Sequence, residues 1–124
     1  MNLRRKFILM TSVHDNKNNV VAYLDNQLII SAADKKLIGV ILGHCVYGAQ
    51  AKLIGIYFKG KIINIKGEII ATLKITAANP LSLNKHHFIA EGWTIIKKIK
   101  EHFCSFIEEK PVWSEDSLTE TLLA

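Results

Sequence analysis

Val20-Val21-Ala22-Tyr23-Leu24, Leu37-Ile38-Gly39-Val40-Ile41, Leu53-Ile54-Gly55-Ile56-Tyr57 and Ile69-Ile70-Ala71-Thr72-Leu73 are four copies of one short pattern: an apolar pair, a small residue, then further apolar positions. The copies start 17, 16 and 16 residues apart. A fixed period of this size marks a repeated supersecondary unit. Between copies lie a second apolar run and a polar turn, as in Leu28-Ile29-Ile30 ahead of Ala33-Asp34-Lys35-Lys36 and Cys45-Val46-Tyr47 ahead of Gly48-Ala49-Gln50. Each unit therefore reads as a β-hairpin of about 16 residues.

Outward from the repeat, Phe7–Val13 reads as a strand and His14-Asp15-Asn16-Lys17-Asn18-Asn19 as its turn, because Asn and Asp tolerate left-handed dihedrals and bond their own backbone. Val20–Leu24 closes the first hairpin. Leu28–Ser31 with Leu37–Leu42, His44–Tyr47 with Leu53–Phe58, and Ile62–Ile65 with Glu68–Ile75 make the other three. The expectation is eight short strands in sequential antiparallel order. Alternation assigns their faces. Ile69, Ala71, Leu73 and Ile75 share one side of the last strand, and the repeat carries that register back to Leu53/Gly55/Tyr57, Leu37/Gly39/Ile41 and Val20/Ala22/Leu24. The central inward position is then small in every unit: Ala22, Gly39, Gly55 and Ala71. Glycine inside a strand marks a close backbone approach, so the row predicts a trough occupied by a helix.

Asn84–Glu109 supplies that helix. Phe88, Gly92, Ile95, Ile96, Ile99, Phe103 and Phe106, with Ile89 and Ile107 beside them, follow helix spacing on a stripe roughly 120° wide. Gly92 costs a helix about 1 kcal/mol relative to Ala, which predicts that it sits where helix and sheet come closest. Thr76–Ser82, with Pro80, reads as a connector, and Pro111 ends the helix. The expected fold class is α+β: an antiparallel β-meander of about eight short strands, in four hairpin repeats, packed against one long C-terminal helix.

The face turned away from that helix is apolar as well. Ile38, Val40 and Leu42, with Ile54, Ile56 and Phe58, form a patch of a size that monomers rarely leave in water. Either the meander curls into a small barrel or sandwich that buries them, or a second subunit covers them. These six residues are the candidate interface.

With 124 residues, 49% of them apolar, the chain has enough material for one core and none to spare for a second. Residues 1–110 are read as a single domain of meander plus helix and 111–124 as an acidic tail. Ser117 and Glu120 form a capping box, with Leu118 and Leu122 one turn apart, so the tail is expected to hold a short helix. From a net charge of +5, the stretch Glu108–Ala124, with five acids against Lys110 alone, holds −4 and residues 1–107 hold +9. Such asymmetry fits either an anionic partner or a tail resting on its own body.

Two cysteines do not make a disulfide framework, so Cys45 and Cys104 are expected as free thiols in a reducing cytoplasm. The basic start Arg4-Arg5-Lys6 is followed by only four apolar residues, too few for a signal peptide, and no run approaches the 18 or more of a membrane span. His44-Cys45, His86-His87 and His102-x-Cys104 lack the spacing of a zinc finger, and adjacent strand residues face opposite ways, so no metal site is expected. A Cys–His nucleophile pair, Cys45 with His87 or His102, depends on distances that spacing does not fix. Glu91 lies four residues after His87, which permits a local contact. The glycines form no phosphate-binding loop. Basic residues gather instead at the turns: Lys35, Lys36, Lys52, Lys59, Lys61 and Lys66 are candidate anion contacts, with Tyr23 on a strand nearby, although lysine at strand ends also discourages edge pairing.

Repeated hairpins with glycine after an aliphatic pair are similar to several β-rich modules, PRC-barrel-like domains among them, but the similarity covers no site and assigns no family. The functional expectation is a small cytoplasmic, non-catalytic interaction or scaffolding domain without a cofactor, with a second copy or another protein as its partner. A nucleic-acid-binding module using the lysine-rich turns is the alternative, and a small hydrolase-like enzyme ranks third.

Overall fold

The apolar runs form strands where the repeat places them: β1 (Ile8–His14), β2 (Val20–Asp25), β3 (Leu28–Ser31), β4 (Leu37–Leu42), β5 (Cys45–Gly48), β6 (Leu53–Phe58), β7 (Lys61–Asn64) and β8 (Ile69–Ala78), followed by α1 (Lys85–Lys98) and α2 (Leu118–Leu123). This computed structural model describes residues 8–78, 85–100, 102–104 and 106–124. Phe7, Pro80 and Asn84, assigned above to a strand, a connector and a helix start, lie outside them. Each strand pairs antiparallel with the next, and β1 pairs with β8 from Ile8 opposite Ala78 to His14 opposite Thr72. The sheet is therefore a closed barrel. The expected meander packed against one long helix is corrected: of the two ways of burying its second face, the sheet takes the barrel.

Closure comes from a bulge repeated four times. Leu37 lies opposite Ile30 and Gly39 opposite Ile29, which leaves Ile38 unpaired. Val21, Ile54 and Ile70 are skipped in the same way. The bulge thus falls on the second member of the apolar pair in every unit, and bulges bend a strand and raise its twist. The turn before each bulge also repeats. The N–H groups of Asp15, Ser31, Gly48 and Asn64 donate to the carbonyls of Asn19, Lys36, Lys52 and Glu68, and a residue with positive φ lies within each loop: Asn18, Lys35, Ala51 and Gly67. At three of the turns a side chain bonds within the loop in addition, with Asp15 Oδ1 accepting from the Lys17 and Asn19 N–H groups, Ser31 Oγ from that of Asp34, and Asn64 Oδ1 from those of Lys66 and Glu68.

A bulge also shifts the alternation by one residue. Ile38, Ile54 and Ile70 join Val13, Ala22, Ile29, Ile41, Val46, Ile62 and Ala71 in the interior, whereas Leu37 and Leu53, expected inside, pack on the outer surface. The row Ala22, Gly39, Gly55 and Ala71 does face inward, but no long helix lies in it. A Cβ at Gly39 would stand 2.7 Å from the Tyr47 carbonyl oxygen and 3.0 Å from Leu122 Cδ2, and one at Gly55 would run into the Ile63 carbonyl. These positions are small because bulged neighbouring backbones crowd them and, at Gly39, because α2 fits there.

α1 lies outside, its Phe88 and Ile95 packed with Leu28, Ile30, Leu37, Val40, Cys45 and Tyr47. A Cβ at Gly92 would meet Leu28 Cδ2 at 2.6 Å, so this glycine does mark the approach of helix to sheet. The helix spans Lys85–Lys98 rather than Asn84–Glu109. Fourteen residues make a helix of about 21 Å, which matches a six-residue strand of about 20 Å. A helix through Glu109 would overhang the barrel. Beyond it the chain follows the β7–β8 turn, where Lys110 N–H donates to the Gly67 carbonyl at 2.9 Å and Ile69 N–H to that of Val112 at 2.8 Å.

α2 sits at the barrel end that carries the bulged turns. Ser117 Oγ accepts from Glu120 N–H at 3.1 Å and bonds the Glu120 carboxylate, so the capping box forms. Leu118 and Leu122 enter the interior cluster, and Ala49 N–H donates to the Leu122 carbonyl at 3.0 Å. The acidic tail is thus part of the core.

Candidate functional site

Cys45 opens β5 on its outer face, and Cys104 stands in the non-helical stretch after α1. The two form a disulfide with Cα atoms 5.9 Å apart, across 59 residues of sequence. The expectation of free thiols is corrected. Placing Cys104 on a continuous helix hid the pairing, because only an extended chain wraps back to β5. His44 does not obey strand alternation either, since it lies in the β4–β5 turn before the strand begins. Its Nε2 is 3.3 Å from Cys104 Sγ. His102 reaches the Leu42 carbonyl through Nε2 at 3.3 Å, and its ring centroid is 6.2 Å from that of Tyr47. Burial without a hydrogen-bond partner among the described residues pushes the Tyr47 hydroxyl above its ordinary pKa.

The stretch that carries Cys104 also builds a groove of about 410 Å³, lined by Leu53, Ile65, Phe103, Phe106 and Ile107 together with the charged Lys66, Lys110 and Glu108. Phe103 and Phe106 are 72% and 81% exposed and Ile65 is 63% exposed. Sequence reading missed the groove because both phenylalanines fit the helix stripe and were assigned to the core.

The six candidate interface residues are scattered. Ile38 and Ile54 are bulge residues inside the barrel; Val40 and Leu42 belong to the outer cluster beneath α1; Ile56 is buried and Phe58 half-buried, with Lys59 Nζ 5.1 Å from the Phe58 ring centroid. The face expected to need a partner is largely covered by the chain itself. His87 and Glu91 do pair, but both are open to solvent on α1, and Cys45 is held in the disulfide, so the nucleophile pairs considered above are not assembled.

The four bulged turns and the four hairpin repeats share one period and close on themselves, and a family model described as a 4-fold beta flower protein matches residues 11–122. The chain belongs to this family. No curated protein and no solved structure matches it. In this beta flower protein the candidate anion contacts divide between the two ends of the barrel, since successive turns of an antiparallel barrel alternate ends. Lys35, Lys36, Lys52 and Lys66 are at the end with the bulged turns, which α2 covers, and Asp116 lines a cleft with Lys52 and Lys66. Lys59 and Lys61 are at the other end, where Lys61 Nζ meets Glu109 Oε1 at 2.6 Å. Among the described residues of the beta flower protein, no helix is long and apolar enough to cross a membrane.

Proposed function

We propose that this beta flower protein is a small non-catalytic interaction domain that self-associates through the groove of Ile65, Phe103 and Phe106. One observation carries the reading: three large, mostly exposed apolar side chains line a single concave patch. Aromatic anchors at the centre of a patch, with charge at its rim, are how interfaces concentrate binding energy. The lining holds both signs, Lys66 and Lys110 with Glu108, so a two-fold related copy can set lysine against carboxylate on each side. A second copy is therefore the occupant. The proposed compartment is the cytoplasm, where a thiol pool reduces accessible disulfides.

Sedimentation velocity at micromolar concentration tests the association. The parent is expected to sediment as a dimer and Phe106→Asp as a monomer with an unchanged circular dichroism spectrum, because Phe106 is 81% exposed and buries little within its own chain. A monomeric parent, or a Phe106→Asp variant that still dimerises, overturns the reading.

A further inference from the structure

We propose that, once the Cys45–Cys104 bond is reduced, His44, Cys45 and Cys104 bind one thiophilic divalent cation, Zn2+ above all, per chain. The imidazole nitrogen and the two sulfur atoms all lie within 4.8 Å of one another. Zinc bonds of about 2.3 Å to sulfur and about 2.0–2.1 Å to nitrogen set tetrahedral ligand atoms about 3.5–3.8 Å apart. The 3.3 Å between His44 Nε2 and Cys104 Sγ is already close to one edge of that tetrahedron. Reduction lets the two sulfurs part to another.

The arms of the site do not depend on the disulfide alone. Cys45 is fixed in the β5 ladder opposite Leu42 and Ile56, and the turn carrying His44 is closed by Tyr57 N–H donating to the His44 carbonyl at 2.7 Å. Cys104 is flanked by the His102 contact to the Leu42 carbonyl and, further on, by the Lys61–Glu109 pair and the Lys110–Gly67 hydrogen bond. Two thiolates and a neutral imidazole cancel the charge of a divalent ion, so a partly buried position gains no net charge. His44 is exposed, which gives the ion a path from solvent and leaves a fourth coordination position for water. His102 does not fill it, being turned to Leu42.

The redox step balances with a dithiol as reductant. Its two S–H groups become a disulfide, the Cys45–Cys104 bond breaks, and each cysteine sulfur takes one hydrogen. Metal binding then releases both thiol protons to solvent. Disulfide and metal are mutually exclusive states of the same two sulfurs.

Cobalt(II) is the probe, because thiolate ligation gives it a near-ultraviolet charge-transfer band and a tetrahedral site gives intense visible bands. Protein reduced with a water-soluble phosphine and titrated without oxygen is expected to develop both bands at one equivalent, with Zn2+ abolishing them. The oxidised protein is expected to show neither. His44→Ala leaves the disulfide and the barrel intact and is expected to weaken binding at least tenfold; Cys104→Ser is expected to lose the bands. A reduced parent with no saturable band, or a His44→Ala variant that binds as tightly as the parent, overturns the proposal. Circular dichroism of each reduced sample establishes that the barrel is present, and a reduced parent that has unfolded overturns it too.

Discussion

A side chain at Gly55 has nowhere to go. The obstacle is the Ile63 carbonyl of the neighbouring strand, which belongs to the ladder and cannot swing aside. Valine favours strands over glycine, yet Gly55→Val is expected to destabilise the barrel by about 3 kcal/mol, the upper part of the overpacking range. Gly92 offers the contrast. The atom in its way is the tip of the Leu28 side chain, which can rotate, and alanine adds about 1 kcal/mol of helix propensity. Gly92→Ala should therefore melt within several degrees of the parent while Gly55→Val melts far below it, and equal melting temperatures would refute the difference between the two obstacles. At Tyr47 the polar atom is at fault. Its hydroxyl is buried without a partner, and replacing such a group with an apolar one is nearly neutral or stabilising. Because burial raises its pKa in the folded state, the neutral phenol supports folding below its ordinary value of 10.0, and that support is lost as pH rises beyond it. Chemical denaturation of Tyr47→Phe should match or exceed the parent at pH 7 and pull further ahead above pH 10. A gap that shrinks at high pH would contradict this.

α2 has six residues, too few to persist alone in water, so its helix exists because the barrel receives it. Leu122 carries the contact: it is 1% exposed, touches the positions left open by Gly39 and Gly48, and belongs to the interior cluster. Leu122→Ala is expected to cost about 2–5 kcal/mol, measured by denaturant titration, and a loss under 1 kcal/mol would mean that the barrel end closes without it. At this scale much was legible in the sequence. The capping box of Ser117 and Glu120 is a local device, and it forms. The strand order follows from hairpins of fixed period. The bulges were not legible, because Val21, Ile38, Ile54 and Ile70 look like ordinary members of an alternating strand, and only the pairing of the opposite strand shows that they are skipped. One missed residue per unit moved Leu37 and Leu53 to the wrong side. The length of α1 was misread for a related reason: Phe103 and Phe106 continue its spacing, but the strands beneath it have already ended.

Across the whole molecule, closure decided between the two ways of burying a doubly apolar sheet that the sequence left open. The candidate groove and the cysteine cluster were not legible, since both depend on where the chain runs after Lys98, and nothing local marks that path. The charge asymmetry was legible as a difference between body and tail. Its physical use is internal as well: Asp116 lines one cleft with Lys52 and Lys66 at the end that α2 covers, and Glu109 pairs with Lys61 at the other. The seven hairpin contacts between successive strands join near neighbours, but the ladder that seals the barrel sets Val13 opposite Leu73, and bringing such distant residues together slows folding. Leu122 then fills the end of the barrel from the far side of the chain. During synthesis, the eight strands leave the ribosome before the residue that completes their core, so the nascent barrel passes through a stage with an uncovered apolar end that is open to association in that interval.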